Sequence, residues 1–320
     1  MKLKFCNRPR IPARRFLILI ASFLLGTIIC QAAPPPQQKI PILLDTDIGS
    51  DIDDAFAVAL ILRSPELDLL GVTTVSGDTQ ARARLAAKML WEAGRRKIPV
   101  AAGEPGKPLP IEQTRWADGF KSEQLVRQSA VDFLKSRIEK RPGQLTIVAI
   151  GPLTNIGALL RKDPAIAKKI KRIVLMGGSI AWTYSGAGQP VAEYNIKMDA
   201  AAAQIVFSSG APILMAPLDV TAMLQLSPED MHRIFTQLTP TTNALTLLYH
   251  LWGHATPTLF DPMAVALVID PTLCLLQSQA IEVDSNGFTR VVEGKPPNVT
   301  VALKTVAGRF MQFYLHRVAP

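Results

Sequence analysis

Cysteine is scarce in this sequence: its 320 residues include only Cys6, Cys30 and Cys274. The first two fall in an N-terminal segment with the pattern of an export signal, so the rest of the chain holds Cys274 alone. A single cysteine cannot form an intramolecular disulfide, even in an oxidising compartment. The pattern therefore predicts a fold that is held together by its hydrophobic core.

A strong charge of one sign is also missing once the N-terminal segment is set aside. Six of the 35 basic residues lie in the first 33 positions, which hold no acidic residue. The remainder carries 29 basic and 26 acidic residues, a net charge of +3, and this small excess does not favour nucleic-acid binding. Residues 40–320 also lack repeats, low-complexity blocks and charge runs, which predicts a single domain.

The first 33 residues have the organisation of a signal peptide. A basic start precedes the apolar run Phe16–Ile29, and small residues at Ala32 and Ala33 offer a cleavage site. The run is shorter than the ~20 residues of a membrane span, and residues 34–39 form a Pro-rich spacer. We therefore expect a periplasmic or secreted protein without stable membrane association after cleavage. Retention of the segment as an anchor is the alternative.

Apolar strand patterns alternate with helical patterns along residues 40–320. This alternation predicts an α/β fold with an open, mostly parallel Rossmann-like sheet and helices on both faces. Short β-type runs at 281–283, 289–292 and 299–303 predict a small antiparallel addition late in the chain. In such sheets, ligands bind beyond the carboxyl ends of the strands.

An acidic turn lies at the first of these strand ends. Residues 45–54 read D-T-D-I-G-S-D-I-D-D, with five aspartates and no basic residue. The turn separates the apolar runs 40–44 and 55–62, which predict a buried strand and a buried helix. A helix dipole favours an anion by only roughly 0.3–1 kcal/mol, too little for five carboxylates. The pattern therefore predicts a bound divalent cation, with Asp51 as the helix cap.

Six short blocks follow one another along the chain. They are D-T-D-I-G-S-D-I-D-D at 45–54, G-V-T-T-V-S-G-D at 71–78, G-P-L-T-N at 151–155, M-G-G at 176–178, V-A-E-Y-N at 191–195 and D-P-M-A-V at 261–265. Each block is weak alone, but together and in this order they resemble the inosine-uridine preferring nucleoside hydrolases. The resemblance covers residues 42–271. It implies a calcium-dependent enzyme that hydrolyses the N-glycosidic bond of ribonucleosides to free base and ribose.

The resemblance also implies a metal site. Asp47, Asp54 and Asp261 match the family's carboxylate ligands, Ile150 matches a backbone carbonyl ligand, and Asp45 matches a supporting position. An all-oxygen shell of this kind suits Ca²⁺. Asp47, beside a water activated by the metal, matches the general base.

The same resemblance implies a binding site for the substrate. The residues that match it are Asp53, Asp78, Met176, Glu193 and Asn195. Asp78 also has a simpler interpretation, because Gly-Asp pairs commonly form turns. Homodimers or homotetramers occur among relatives, so a homo-oligomer is expected by analogy.

The chain departs from the family at two places. Its acidic turn is two residues longer than the usual D-P-G-x-D-D, which makes Asp51 additional. Phe260 stands where members preferring inosine and uridine carry a histidine that protonates the leaving base. Base stacking is then expected from aromatic side chains, which favours purine or broad specificity. The aromatic candidates are Trp182, Tyr184 and Phe260, with Tyr194 and Trp252 as further ones.

Three alternatives remain open at this stage. His250 or His254 can replace the missing acid. A chain without that acid can also be a calcium-dependent binding protein that does not turn over nucleosides. Finally, an Asp-x-Asp at a strand end also occurs in Mg²⁺-dependent haloacid-dehalogenase-like phosphatases, although Gly49 departs from that motif.

Overall fold

The computed structural model describes Lys2 and residues 38–320. Apart from Lys2, the predicted signal peptide (residues 1–33) lies outside the described residues, and so do residues 34–37 of the spacer. Gln38–Pro320 forms one compact unit. Along this unit, no helix combines the length and the apolar character needed to cross a membrane.

Eleven strands lie within residues 38–320. They are β1 (Ile40–Thr46), β2 (Leu67–Thr74), β3 (Val100–Ala102), β4 (Leu125–Val126), β5 (Thr146–Ala149), β6 (Arg172–Met176), β7 (Ile213–Ala216), β8 (Cys274–Gln279), β9 (Ile281–Val283), β10 (Thr289–Val291) and β11 (Val299–Thr305). Nine of them form one sheet in the order β4-β3-β2-β1-β5-β6-β7-β11-β8. Neighbouring strands of this sheet run parallel, except that β8 runs antiparallel to β11. The predicted mostly parallel sheet is confirmed.

The predicted small antiparallel addition is confirmed, although one of its predicted members lies in the main sheet. β9 and β10 pair with each other in an antiparallel two-stranded sheet. β11, the third predicted member, instead joins the main sheet parallel to β7. On its other side β11 pairs antiparallel with β8, and its Val299 and Val301 are buried.

Eleven α-helices and three short 3-10 helices lie in the same part of the chain, residues 38–320. The α-helices are α1 (Asp53–Leu62), α2 (Thr79–Glu92), α3 (Ala130–Lys140), α4 (Thr154–Lys162), α5 (Tyr194–Lys197), α6 (Ala200–Ser208), α7 (Leu218–Thr221), α8 (Pro228–Phe235), α9 (Pro240–Trp252), α10 (Phe260–Ile269) and α11 (Ala307–Val318). The 3-10 helices are Glu112–Ala117, Pro164–Lys169 and Pro271–Leu273.

Two hydrophobic clusters cover the two faces of the sheet. Successive side chains of a strand point to opposite faces, and β1 shows this directly. Ile42 and Leu44 pack in the cluster that contains α1, α2 and α10. Leu43, between them, packs with α3, α4 and α6. Helices therefore lie on both faces, as the sequence predicts.

The helices α1 and α10 are apolar on nearly every side, which is typical of helices buried within a core. Almost all of their residues are buried, and the two helices pack against each other. Both begin at the same rim of the sheet. This packing brings Asp53 and Asp54, in the first turn of α1, next to Asp261, in the first turn of α10.

Candidate active site

The acidic turn connects the end of β1 to the start of α1. Gly49 lies within it at φ +120°, a region that residues with a Cβ rarely adopt. A Cβ at this position would also approach Thr114 Cγ2 to 3.0 Å. Glycine therefore allows the turn to fold back so that its aspartates reach one cavity.

The cavity at this rim has a volume of about 450 Å³. Ten of the predicted site residues line it: Asp47, Asp53, Asp54, Ile150, Met176, Tyr184, Glu193, Asn195, Phe260 and Asp261. Ser50, Asp51 and Tyr194 complete the lining. Six of these thirteen side chains are carboxylates, and no basic side chain of residues 38–320 is among them.

Three of the carboxylates converge on one point. Asp53, Asp54 and Asp261 are buried, and one carboxylate oxygen from each lies within 4.8 Å of the other two. Burial, followed by the charges of neighbouring aspartates, raises the pKa of all three well above the usual range. Oxygen donors held this close, and unable to ionise together without a countercharge, fit a hard divalent cation.

Asp47 lies in the same cavity but outside this group of three. Burial raises its pKa to about 6, while the nearby Arg82 lowers it. Its charge in turn raises the pKa values of Asp53, Asp54 and Asp261. The structure thus groups Asp53, predicted to bind ribose, with two predicted metal ligands and leaves Asp47 beside them.

Asp45 supports the site from behind. It is fully buried, and its Oδ1 accepts hydrogen bonds from Thr73 Oγ1 at 2.5 Å and Asn155 Nδ2 at 2.8 Å. Burial raises its pKa to about 7 despite these two donors. Asp45 itself does not line the cavity.

Glu193 and Asn195 approach the cavity from the start of α5. Glu193 caps this helix by accepting hydrogen bonds from Asn195 N and Ile196 N, and it also accepts one from Gly178 N. Burial nevertheless raises its pKa to about 7. The side-chain amide of Asn195 donates to Met176 O at 3.2 Å and to Ile150 O at 3.4 Å. Asn195 therefore bridges the ends of β5 and β6, and Glu193 ties the start of α5 to the segment after β6.

Aromatic rings form one wall of the cavity. Tyr184 and Phe260 meet edge to face, with ring centroids 6.0 Å apart. The Tyr184 hydroxyl also accepts a hydrogen bond from Tyr194 N at 2.7 Å. Trp182 and Trp252 were candidates for base stacking, but neither lines the cavity. Trp252 packs instead against His254 at a centroid distance of 4.8 Å.

Two predicted roles need correction. Asp78 is exposed and lies outside the cavity, because its carboxylate caps α2 by accepting a hydrogen bond from Ala81 N at 2.9 Å. Asp51 does not cap α1: the N-cap is Ile52, and Asp51 accepts a hydrogen bond only from the adjacent Ile52 N at 2.6 Å. The longer turn places the Asp51 carboxylate at the cavity instead. The candidate acids His250 and His254 are exposed and do not line the cavity.

Arg82 was not among the predicted site residues, yet it is the largest fully buried side chain in the described part of the chain. Its charge lowers the pKa of Asp47 and of Asp54, so the acidic turn does have a countercharge from outside its own segment. A signal was present in the sequence. Arg82 stands on the apolar face of a predicted helix, three and seven residues before the buried Leu85 and Met89, where an arginine needs a specific partner.

Gly151 packs closely against Asp47. A Cβ at this position would lie 2.9 Å from Asp47 N, 2.9 Å from Asp47 Oδ1 and 2.8 Å from Val75 Cγ1. We expect Gly151→Ala to destabilise the fold by about 1–3 kcal/mol and to lower kcat by about 10²-fold, because Asp47 must move. Thermal unfolding and steady-state kinetics measure the two effects.

Gly308→Ala is the matched control, because Gly308 lies in α11 and a Cβ there would meet no atom within 4 Å. It should be neutral or stabilising by up to about 1 kcal/mol. Wild-type kinetics in Gly151→Ala would show that Asp47 tolerates the displacement.

Comparison with known proteins identifies the family. Residues 42–312 match the profile described as inosine-uridine preferring nucleoside hydrolase. A pyrimidine-specific ribonucleoside hydrolase of Citrobacter koseri is 34% identical over 315 residues, covering 88% of this chain and 98% of the relative.

Solved structures agree with this match. A plant nucleoside hydrolase superposes with a TM-score of 0.78 at 28% identity, covering 89% of this chain and 99% of that one. A purine-preferring ribonucleoside hydrolase from Gardnerella vaginalis superposes with a TM-score of 0.74 at 28% identity, covering 87% and 98%. The resemblance seen in the six sequence blocks is confirmed, and nothing in these matches supports the phosphatase alternative. The chain belongs to the inosine-uridine preferring nucleoside hydrolase family and is an N-glycosyl hydrolase of ribonucleosides.

Proposed function

We propose that the chain hydrolyses purine ribonucleosides, or purine and pyrimidine ribonucleosides alike, with Asp47 as general base and Ca²⁺ as its metal. The observation that carries this proposal is that three kinds of side chain, carboxylates, a polar pair and aromatic rings, line one cavity. Converging buried carboxylates, the polar pair Glu193 and Asn195, and the aromatic rings of Tyr184 and Phe260 surround a space of about 450 Å³. In this order, such groups can bind a metal ion, the ribose and the nucleobase.

The carboxylates have separate tasks in the proposed reaction. A divalent cation held by Asp54, Asp261 and Asp47 or Asp53 would polarise water and the ribose hydroxyls when bound. Asp47 accepts the proton of the attacking water, since its carboxylate lines the cavity beside the three converging carboxylates. As the base departs, positive charge develops on the ribosyl ring, and the surrounding carboxylates stabilise it.

Several features support purine or broad specificity. Phe260 cannot donate a proton to the leaving base, and the histidines near it in sequence lie outside the cavity lining. The edge-to-face pair of Phe260 and Tyr184 presents an apolar surface against which a large base can pack. Relatives with names of both kinds, pyrimidine-specific and purine-preferring, are similar to this chain.

Release of free ribose tests the proposed function. The chain should be incubated with inosine, adenosine, guanosine, uridine and cytidine, in the presence of CaCl2 or of EDTA. We expect ribose from at least the purine nucleosides, and only with CaCl2. Hydrolysis of the pyrimidine nucleosides alone would overturn the proposed specificity, and no turnover of any substrate would overturn the proposed function.

The phenyl ring of Phe260 at the position of the acid leaves a binding protein without turnover open when the sequence is considered alone. The family match supports an enzyme instead.

Removal of the Tyr184 ring should slow hydrolysis, because the nucleobase of the substrate loses an aromatic ring on which to stack. Stacking of a base on an aromatic ring contributes about 1–3 kcal/mol, so Tyr184→Ala should lower kcat/KM for inosine by roughly 5- to 150-fold. Trp182→Ala is the control, because Trp182 lies in the same loop but not at the cavity, and it should have little effect. Equal losses in the two variants would indicate disruption of the loop and not lost stacking.

We further propose that the enzyme acts outside the cytoplasm, on the basis of the basic start and the apolar run of residues 1–33. N-terminal sequencing of the purified native protein tests this. A mature chain that begins near Ala33 or Pro34 is expected, and an intact Met1 on a soluble cytoplasmic protein would contradict it.

A further inference from the structure

We propose that Gln113 and Arg82 are positioning residues, which hold the backbone of the lengthened acidic turn so that its carboxylates meet at the metal and substrate. This inference rests on the proposed function. It concerns four backbone carbonyls of the turn, those of Asp47, Ile48, Ser50 and Asp51. We call the two side chains the carbonyl clamp.

Arg82 holds the first half of the turn. Its Nη1 donates to the carbonyl oxygens of Asp47 and Ile48, the latter at 3.0 Å, and to Ser50 Oγ at 3.3 Å. Its Nε donates to Ser76 O at 2.8 Å. Ser76 is one of two non-glycine residues of the described chain with a positive φ. A single fully buried guanidinium therefore ties the turn after β1 to the turn after β2.

Gln113 holds the second half. Its Nε2 donates to Ser50 O at 3.0 Å and to Asp51 O at 2.8 Å. The side chain is fully buried, and it comes from the 3-10 helix Glu112–Ala117, which packs against α2. Its orientation is fixed by these contacts, since a flipped amide would place Oε1 against two carbonyl oxygens.

The clamp acts where this chain departs from the usual family pattern. The additional length lies between Gly49 and Asp53, and the carbonyls of Ser50 and Asp51 are the ones that Gln113 binds. Without these donors, repulsion among Asp47, Asp51 and Asp53 would favour a more open turn, since closely spaced like charges inside a protein repel strongly. The clamp engages only backbone carbonyls and a hydroxyl, so it leaves the carboxylates free for metal and substrate.

Gln124 offers a matched control for Gln113. It is also a buried glutamine, and its Nε2 also donates to two backbone carbonyls, Arg95 O at 3.2 Å and Ile98 O at 3.0 Å. Those carbonyls belong to a turn that contributes nothing to the cavity lining. A purely structural role predicts the same outcome for Gln113→Met and Gln124→Met. A positioning role predicts a difference.

The test compares Gln113→Met with Gln124→Met in three measurements: thermal unfolding, the Kd for Ca²⁺ by isothermal titration with CaCl2, and kcat and KM for the best nucleoside. Replacing a group that orients metal ligands typically costs about 10- to 100-fold in metal affinity or activity. We expect that loss in Kd and kcat for Gln113→Met, with little change in KM, and wild-type values for Gln124→Met. If Gln113→Met does not fold, Gln113→Asn, which keeps the amide but shortens its reach, gives the same comparison.

Arg82 is tested in a second matched pair. Arg82→Lys keeps the positive charge but cannot reach both turns with a planar fork of donors. Arg84→Lys makes the same change two residues away on α2, at a side chain that holds no part of the turn. We expect a similar 10- to 100-fold loss of kcat in the first variant and none in the second.

The outcomes separate the two proposals. A wild-type chain that releases no ribose overturns the proposed function. A wild-type chain that is active, together with equal Kd and kcat in Gln113→Met and Gln124→Met, overturns the clamp alone. A loss of thermal stability in Gln113→Met without any change in Kd or kcat also overturns the clamp alone.

Discussion

Asp47→Asn is expected to lower kcat by about 10²- to 10⁴-fold, the range for loss of a general base. The amide keeps an oxygen that can contact a cation, but it cannot take a proton from the attacking water. The buried position of Asp47, and the fit of its carboxylate against Gly151, leave little space for a solvent base to substitute. Steady-state kinetics with the best nucleoside, at saturating CaCl2, measure the effect.

Asp51→Asn is the control within the same turn. Asp51 is exposed and lies outside the group formed by Asp53, Asp54 and Asp261, so its loss should reduce kcat far less than that of Asp47. Comparable losses in the two variants would mean that the turn contributes through its total charge. Asp47 would then have no special role in proton transfer.

Removal of the metal is expected to abolish ribose release, and addition of CaCl2 should restore it. Removal of the metal should also make the free energy of unfolding depend on pH. Burial raises the pKa of Asp45 and Glu193 to about 7 and that of Asp47 to about 6. The folded metal-free protein therefore holds protons that the unfolded chain releases near pH 4, and its stability should fall as the pH rises from about 4 to 7.

A bound cation reverses this loss of stability at higher pH, because it favours the ionised carboxylates and binds only the folded chain. The increase in Tm on adding CaCl2 should therefore be larger at pH 7.5 than at pH 5.0, by several degrees. Thermal unfolding in EDTA and in CaCl2 at both pH values gives the comparison. An increase that is equal at the two pH values would contradict the assignment of the metal to these carboxylates.

Several elements of the fold were readable from local pattern alone. The acidic turn, its glycine and the buried strand and helix around it were predicted at the positions where the structure has them. Other elements were predicted less well, because their signals are weak. The pattern of residues 123–139 predicts one helix, but the structure has the two-residue strand β4 before α3. The Gly- and Pro-rich composition of residues 103–121 predicts a loop, but this stretch contains the 3-10 helix that presents Gln113.

The sequence by itself determined the fold class, the family, and the chemical character of the site, because these depend on periodicity and on residues that are close in the chain. Only the tertiary structure decided which side chains meet. Asp261 lies next to Asp53, 208 positions earlier, because the apolar helices α1 and α10 bury their surfaces against each other. Arg82 and Gln113 reach the acidic turn because α2 and the 3-10 helix pack beside it. Asp78 lies outside the cavity, and its carboxylate caps the N-terminus of α2. Contacts of this kind depend on how buried elements pack, and the pattern of a single segment does not contain that information.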